Sequence, residues 1–67
     1  MNSFEQWQNS DFLIFWNGKQ KAYHIESVEE HRRKPPMGDG WKLIARTNGY
    51  TAAWEIVEQR SKDGVDL

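Results

Sequence analysis

The residues that could carry chemistry in this chain are two histidines and a few carboxylates. His24 and His31 are the only imidazoles, and there is no cysteine. A zinc site would therefore need both histidines together with carboxylates such as Asp39. Serine nucleophiles need a positioned base, and none of the serines lies in a nucleophile-elbow motif. We expect no catalytic residue, no bound metal and no cofactor, and we do not expect an enzyme.

A basic run, His31-Arg32-Arg33-Lys34, allows two interpretations. In the first it is the solvated end of a short helix, with Glu29–Arg33 and Glu30–Lys34 pairs at helical spacing. In the second it binds phosphate. As a separate signal for nucleic-acid binding, Phe15 on the outer face of the sheet would stack on bases as aromatic side chains do in single-strand binders, with Lys19, Lys21 and Arg46 nearby. The formal net charge of −1 supplies no general attraction to nucleic acid, so the first interpretation is favoured.

Length and composition predict one small domain spanning residues 1–67. A chain of 67 residues has room for one modest core and little room for a substrate cavity, so no small-molecule substrate is expected. The absence of cysteine removes the disulfides typical of small secreted domains. No apolar run is long enough to span a bilayer, and residues 1–5 lack the features of a signal peptide. We therefore expect a cytoplasmic protein that does not contact a membrane.

Three strands are predicted from apolar patterning. Phe12–Trp16 and Lys19–Ile25 flank Asn17-Gly18, which is a strong signal for a tight hairpin turn with positive φ at both turn residues. A two-residue loop (17–18) and a four-residue loop (17–20) give the same pairing parity, so in both cases residues 12, 14, 16, 23 and 25 share the core face. Residues 41–47 alternate as a third strand, which would place Trp41, Leu43 and Ala45 on one face.

Helix signals follow the second and third strands. Ser27 and Glu30 have capping-box spacing and open a short helix over residues 28–34, which Pro35-Pro36 ends. A longer helix is predicted from a Thr51 cap to about Lys62, with Gly64 as its stop. Its inward positions would be Tyr50, Ala53, Trp54 and Val57, so that Trp41 and Trp54 would be core residues.

These elements predict an α+β fold: a three-stranded antiparallel β-meander, a C-terminal helix packed on one face, and one or two short extra helices. The second of these short helices would be an N-terminal turn, since Ser3 and Gln6 also have capping-box spacing.

The hairpin leaves a second face that is too apolar for water and too polar for a deep core. Either the helix through Val28 or the N-terminal turn with Phe4 and Trp7 covers this face, or a partner protein does. The candidate partner-binding residues lie on this face and on the basic helix end: Leu13, Phe15, Ala22, His24, Arg32, Arg33 and Lys34.

The order of elements and the Gly40-Trp41 pair resemble the MbtH-like proteins, which are small accessory chains that bind and activate adenylation domains of nonribosomal peptide synthetases. Pro36 to Trp41 approximates the family's Pro-x-Gly-Trp, and residues 53–58 fall on the family's Cys-Leu-x-Tyr-Ile-Glu helix. The tryptophans with which the family grips its partner are absent, because Ser61 replaces one and the region 23–26 replaces the other.

The sequence thus predicts a small non-catalytic accessory protein that docks on a larger protein and modulates it, as the resemblance implies. The alternative is a nucleic-acid-binding module, or an inhibitor of a host protein encoded by a phage or other mobile element, that uses Arg32, Arg33 and Lys34.

Overall fold

A computed structural model describes residues 8–35 and 37–66 of the chain. Three antiparallel strands form one sheet: β1 (Asp11–Asn17), β2 (Ala22–Ser27) and β3 (Trp41–Asn48). Two helices accompany them, α1 (Val28–Arg33) between β2 and β3, and α2 (Tyr50–Asp63) after β3. The predicted α+β class, with a C-terminal helix and a short extra helix, is confirmed. The predicted N-terminal turn lies outside the described residues.

The strand order is β2-β1-β3, which differs from the sequential order of a meander. Six of the seven β1 residues are buried, whereas β2 and β3 are largely half-buried or exposed. A strand that is apolar on both faces is stabilised best at the centre, where both faces can be covered. Because β2 and β3 both run antiparallel to β1, they are parallel to each other, and the segment that contains α1 crosses one face of the sheet to join them.

The two helices therefore lie on opposite faces of the sheet. On the α2 face, Ala53 and Val57 pack with Ile14, and partly buried neighbours surround them: Phe12, Tyr23, Ile25, Ile44, Ala45 and Ile56. On the α1 face, Val28 packs with Leu13 and Phe15. Residues 12, 14, 16, 23 and 25 share the α2 face, as the sequence predicted.

The hairpin turn was predicted at the wrong residues. Trp16 pairs with Tyr23 and Asn17 with Ala22, so the loop is Gly18 to Lys21. Positive φ occurs at Lys21, at 55°, and Gly18 is not among the glycines with positive φ. The Asn17 Oδ1 atom accepts hydrogen bonds from the backbone N–H groups of Lys19 and Gln20, at 2.9 and 3.0 Å. A turn closed by the Asn17 side chain therefore replaces the predicted turn. The β2 partner of each β1 residue lies two positions further along than in the four-residue loop, and four further than in the two-residue loop. Because both shifts are even, every side chain stays on its predicted face.

The prediction that Trp41, Leu43 and Ala45 share a face is also wrong. Ile14 pairs with Ala45 but Phe15 pairs with Leu43, so Ile44 is an extra residue in a β-bulge. The bulge interrupts the alternation of side chains along β3. Trp41 consequently packs on the α1 face, Ala45 packs on the α2 face, and Leu43 is 40% exposed.

Two of the three predicted helix caps are present, and α1 ends at Arg33, one residue earlier than predicted. In α1 the capping box is present, because the Ser27 side chain accepts from Glu30 N–H and the Glu30 side chain accepts from Ser27 N–H. Gly64 ends α2 in the left-handed conformation and donates to the Arg60 carbonyl. The exception is the start of α2, where the N-cap is Gly49 instead of Thr51 and no side chain caps the helix.

The predicted inward face of α2 is wrong at its two aromatic residues. Tyr50 and Trp54 are each 52% exposed, whereas Ala53 and Val57 are buried. The sheet face beneath already carries the large side chains of Phe12, Ile14 and Trp16, so the helix approaches through its small residues. None of the helices in the described part of the chain is long and apolar enough to cross a membrane.

Candidate protein-interaction surfaces

The predicted contact residues are divided between the core and the surface. Leu13 is fully buried and Phe15 is 6% exposed, because α1 covers them through Val28. Of the covers that the sequence left open, the α1 cover is observed, and the N-terminal turn lies outside the described residues. Ala22 and His24 are half-buried on β2, and three basic residues are exposed at the end of α1: Arg32, Arg33 and Lys34.

A buried carboxylate, Glu26, organises this face. Its side chain is 1% exposed and lies on β2 opposite Leu13. His24 Nε2 lies 2.9 Å from Oε1, His31 Nδ1 lies 2.6 Å from Oε2, and Lys34 Nζ donates to Oε1 at 3.1 Å. An ionised carboxylate only accepts hydrogen bonds, so each imidazole presents an N–H to it. These contacts tie α1 to β2.

The ionised state of Glu26 is favoured by the same contacts. Burial alone would raise the pKa of Glu26, but the three hydrogen bonds together lower it by more, so the pKa lies below its ordinary value. The pairing of Lys34 with Glu26 also differs from the predicted Glu30–Lys34 pair, since Glu30 is occupied in the capping box. The predicted Glu29–Arg33 pair is present at 2.6 Å.

Aromatic rings and Met37 surround the carboxylate cluster. The His31 ring lies 5.4 Å from the Phe15 ring, and the His24 ring lies 5.9 Å from the Trp41 ring. Two adjoining depressions, of about 490 and 470 Å³, share Lys34, Pro35, Met37 and Trp41 in their walls. We refer to these two depressions together as the α1 groove. No group of three His, Asp or Glu residues in the described part of the chain is arranged to hold a metal ion.

The opposite side of the molecule carries a surface that the sequence pattern did not predict. The Tyr50 and Trp54 rings meet edge to face at 6.2 Å, and the Phe12 ring lies 5.4 Å from Tyr50. A depression of about 170 Å³ separates this aromatic pair from Tyr23 and Ile25 on β2. We refer to Tyr50, Trp54 and these two β2 residues as the α2–β2 surface. No local signal gives the rotation of α2 about its axis, because the aromatic residues and the buried small residues together have the spacing of a single helix face.

Asp66, which follows α2, makes polar contacts at the C-terminal end of the same face. Arg60 Nε and Nη2 donate to the two oxygens of Asp66 at 2.9 and 2.8 Å, and the Tyr23 hydroxyl donates to Asp66 at 2.6 Å. The hydrogen bonds from Arg60 and Tyr23 lower the pKa of Asp66 to about 2. Burial, with help from Asp66, raises the pKa of the Tyr23 hydroxyl. This contact ties the end of the chain to β2.

Comparison with known proteins does not place the chain in a family. The sequence matches no protein-family model and no curated protein, and the structure matches no solved structure.

Proposed function

We propose that this chain is a small non-catalytic protein that docks on a larger protein through the α2–β2 surface. The observation that carries this proposal is the half-exposure of Tyr50 and Trp54 on one side of α2. Tyrosine and tryptophan are enriched at protein interfaces and account for much of the binding energy there. A domain of 67 residues that leaves two of its large aromatic side chains outside the core presents an anchor of this kind.

The surroundings of the aromatic pair support the proposal. The two rings contact each other, and the Tyr50 ring also contacts Phe12, which restricts their movement and reduces the entropy lost on binding. The adjoining depression, whose walls combine aromatic and aliphatic side chains with His24, offers a shallow recess for a side chain of the partner. The aromatic pair is therefore exposed and partly preorganised.

The resemblance to MbtH-like proteins suggests one form of this function, which is activation of an adenylation domain. The segment that falls on the family's helix, Ala53 to Glu58, contains Trp54. Because the family's gripping tryptophans are absent, an MbtH-like role here would need Trp54 to take part in the contact.

The alternative, nucleic-acid binding through the basic helix end, has less support. Arg33 pairs with Glu29, Lys34 pairs with Glu26, and Arg32 donates to the Asn9 side chain. Phe15, which was to stack on bases, is buried. A host-protein inhibitor would use a protein-binding surface, so the same experiment identifies it by the partner it retains.

The test is affinity capture from source-cell extract with the parent chain, Trp54→Ala and Glu55→Ala. Glu55 is also exposed on α2, so it controls for a change of surface at the same helix. We expect a partner that the parent and Glu55→Ala retain and that Trp54→Ala binds about 30-fold more weakly once purified. Equal retention by Trp54→Ala, or capture of nucleic acid that salt abolishes, would contradict the proposal.

A further inference from the structure

Asparagine is followed by glycine at two places in the chain, Asn17-Gly18 at the end of β1 and Asn48-Gly49 at the end of β3. Such a pair is open to one particular reaction, in which the backbone nitrogen of the glycine attacks the side-chain Cγ of the asparagine. Glycine favours this attack because it has no Cβ to block the approach. The structure places the two pairs in different environments, so their reactivities should differ.

The side chain of Asn17 is held at both of its polar atoms. Its Oδ1 accepts from the N–H groups of Lys19 and Gln20, and its Nδ2 donates to the Asp39 carbonyl. The residue is 1% exposed. Rotation of the amide towards the Gly18 nitrogen would break these hydrogen bonds, so the reaction at this pair requires local unfolding.

The side chain of Asn48 is exposed and lies at the open end of the sheet. Asn48 is the last residue of β3 and pairs with Asp11, the first residue of β1. Its Nδ2 donates to the Asp11 Oδ1 atom at 3.1 Å. The ends of strands open most readily, and a Cβ at Gly49 would meet nothing within 4 Å, so the space beside this glycine is free.

We propose that Asn48 is a site of spontaneous deamidation in the folded protein, whereas Asn17 is protected. The Gly49 nitrogen forms a bond to Cγ of Asn48, and the side-chain nitrogen takes up the displaced proton and leaves as ammonia. Water then hydrolyses the resulting succinimide ring at either of its carbonyl carbons, which gives aspartate or isoaspartate. The net reaction consumes a water molecule and releases ammonia, so it requires no enzyme, oxidant or cofactor.

The aspartate product would change the contact that joins the ends of β1 and β3. The amide of Asn48 donates to Asp11, whereas a carboxylate can only accept, so two carboxylates would lie opposite each other. Asp11 is 6% exposed, and Arg46 Nη1 lies 3.8 Å from it. This arginine and the positive end of the α2 dipole offset part of the repulsion, but the hydrogen bond is lost.

The isoaspartate product would act on the main chain. In this form the chain runs through the side-chain carbons of residue 48, which lengthens the main chain by a carbon atom. Residue 48 lies two positions before Tyr50, where α2 begins. Both products are therefore expected to loosen the junction of β3 with α2.

The experiment is incubation of the parent chain at mildly alkaline pH, followed by tryptic peptide mapping and mass spectrometry. Cleavage after Arg46 places the two asparagines on different peptides. We expect Asn48 to deamidate at least about ten-fold faster than Asn17, because reaction at Asn17 has to wait for local opening. In the chain unfolded by guanidinium chloride, the two rates should agree within about three-fold, since both asparagines precede glycine.

A pair of variants tests the effect of the aspartate product on the fold. Asn48→Asp should lower the midpoint temperature of unfolding by about 4 °C or more, through repulsion and the lost hydrogen bond. Asp11→Asn combined with Asn48→Asp restores a donor and an acceptor to the pair. The double variant should therefore be more stable than Asn48→Asp alone.

Two results would overturn the proposed site. The first is absence of deamidation at Asn48 in the folded chain over a period in which the unfolded chain reacts, and the second is a rate at Asn17 that equals or exceeds the rate at Asn48. An Asn48→Asp variant as stable as the parent would overturn the proposed effect on the fold. These measurements involve no binding partner, so this proposal and docking through the α2–β2 surface can fail separately.

Discussion

At the scale of single residues, Asn17 connects two loops that are distant in sequence. Its side chain accepts from Lys19 and Gln20 in the hairpin loop, and its Nδ2 donates to the Asp39 carbonyl at 3.3 Å. The residue is 1% exposed, so these hydrogen bonds satisfy an amide that would otherwise be buried without partners. The Asn-Gly pair predicted that a hairpin turn follows β1, but not which residues form its loop. The contact of the Asn17 side chain with Asp39 depends on a loop 22 residues away and could not be predicted from local pattern.

The glycine next to this contact gives the first of three predictions about stability. Gly40 has φ of 92°, and a Cβ there would lie 3.1 Å from the Asn17 side-chain amide atoms. Gly40→Ala should therefore lower the free energy of unfolding by about 1–3 kcal/mol in urea titration, through both strain and displacement of the amide. Gly38→Ala is the matched control, since a Cβ at Gly38 meets nothing within 4 Å. Equal effects of the two variants would show that the contact at Asn17 is unimportant.

The contacts around Glu26 and the start of α1 differ in how far the sequence could predict them. The capping box at Ser27 and Glu30 was predictable because both partners lie in one helical turn. The convergence of His24, His31 and Lys34 on one carboxylate was not, because it requires α1 to be folded across the sheet. Sequence spacing places residues on elements, and the packing of those elements decides which side chains meet.

At the scale of elements, α2 shows why the largest residues of an amphipathic pattern are not always the buried ones. The sheet supplies Phe12, Ile14, Trp16, Tyr23 and Ile25 to the interface, which leaves little volume for large side chains from the helix. Close packing is then reached with Ala53 and Val57 facing the sheet. The helix was correctly predicted as an element, and its rotation about its own axis was not.

A comparison of two tryptophans tests whether α2 is rotated so that Trp54 lies outside the core. Trp16 is 8% exposed on the central strand, whereas Trp54 is half exposed on α2. Trp16→Ala should cost about 3–5 kcal/mol of unfolding free energy, because it removes a buried aromatic side chain and leaves a cavity. Trp54→Ala should cost less than about 1 kcal/mol in the same urea titration. Comparable losses in the two variants would mean that Trp54 belongs to the core after all.

At the scale of the whole molecule, the arrangement follows from a central strand with two apolar faces. Burial of Leu13 and Phe15 on one face and of Ile14 and Trp16 on the other requires a cover on each side. The crossover from β2 to β3 supplies α1 for one side, and α2 supplies the other. The apolar run of β1 predicted the need for two covers. The strand order could not be predicted in the same way, because a meander would also have brought three strands together.

The final prediction concerns stability in acid, which should depend on the contact that ties the chain end to β2. The folded pKa of Asp66 is about 2, below its ordinary value of 3.8. A carboxyl group with a depressed folded pKa stabilises the fold above its unfolded pKa, and this stabilisation is lost as the pH falls through the folded value. Asp66→Asn should therefore be less stable than the parent near pH 6, and the difference should shrink between about pH 4 and pH 2.

The measurement is thermal unfolding followed by circular dichroism across this pH range. Asp63→Asn is the control, because Asp63 is exposed and its carboxylate accepts from the Gln59 side chain on the same helix. That variant should lose stability in acid as steeply as the parent chain does. The folded pKa of Glu26 is also lowered, and both variants retain this residue. The unfolding temperature of the parent and of both variants should therefore fall below about pH 4. A constant gap in stability between the parent and Asp66→Asn from pH 6 to pH 2 would contradict the prediction, because it would show that ionisation of Asp66 does not stabilise the fold.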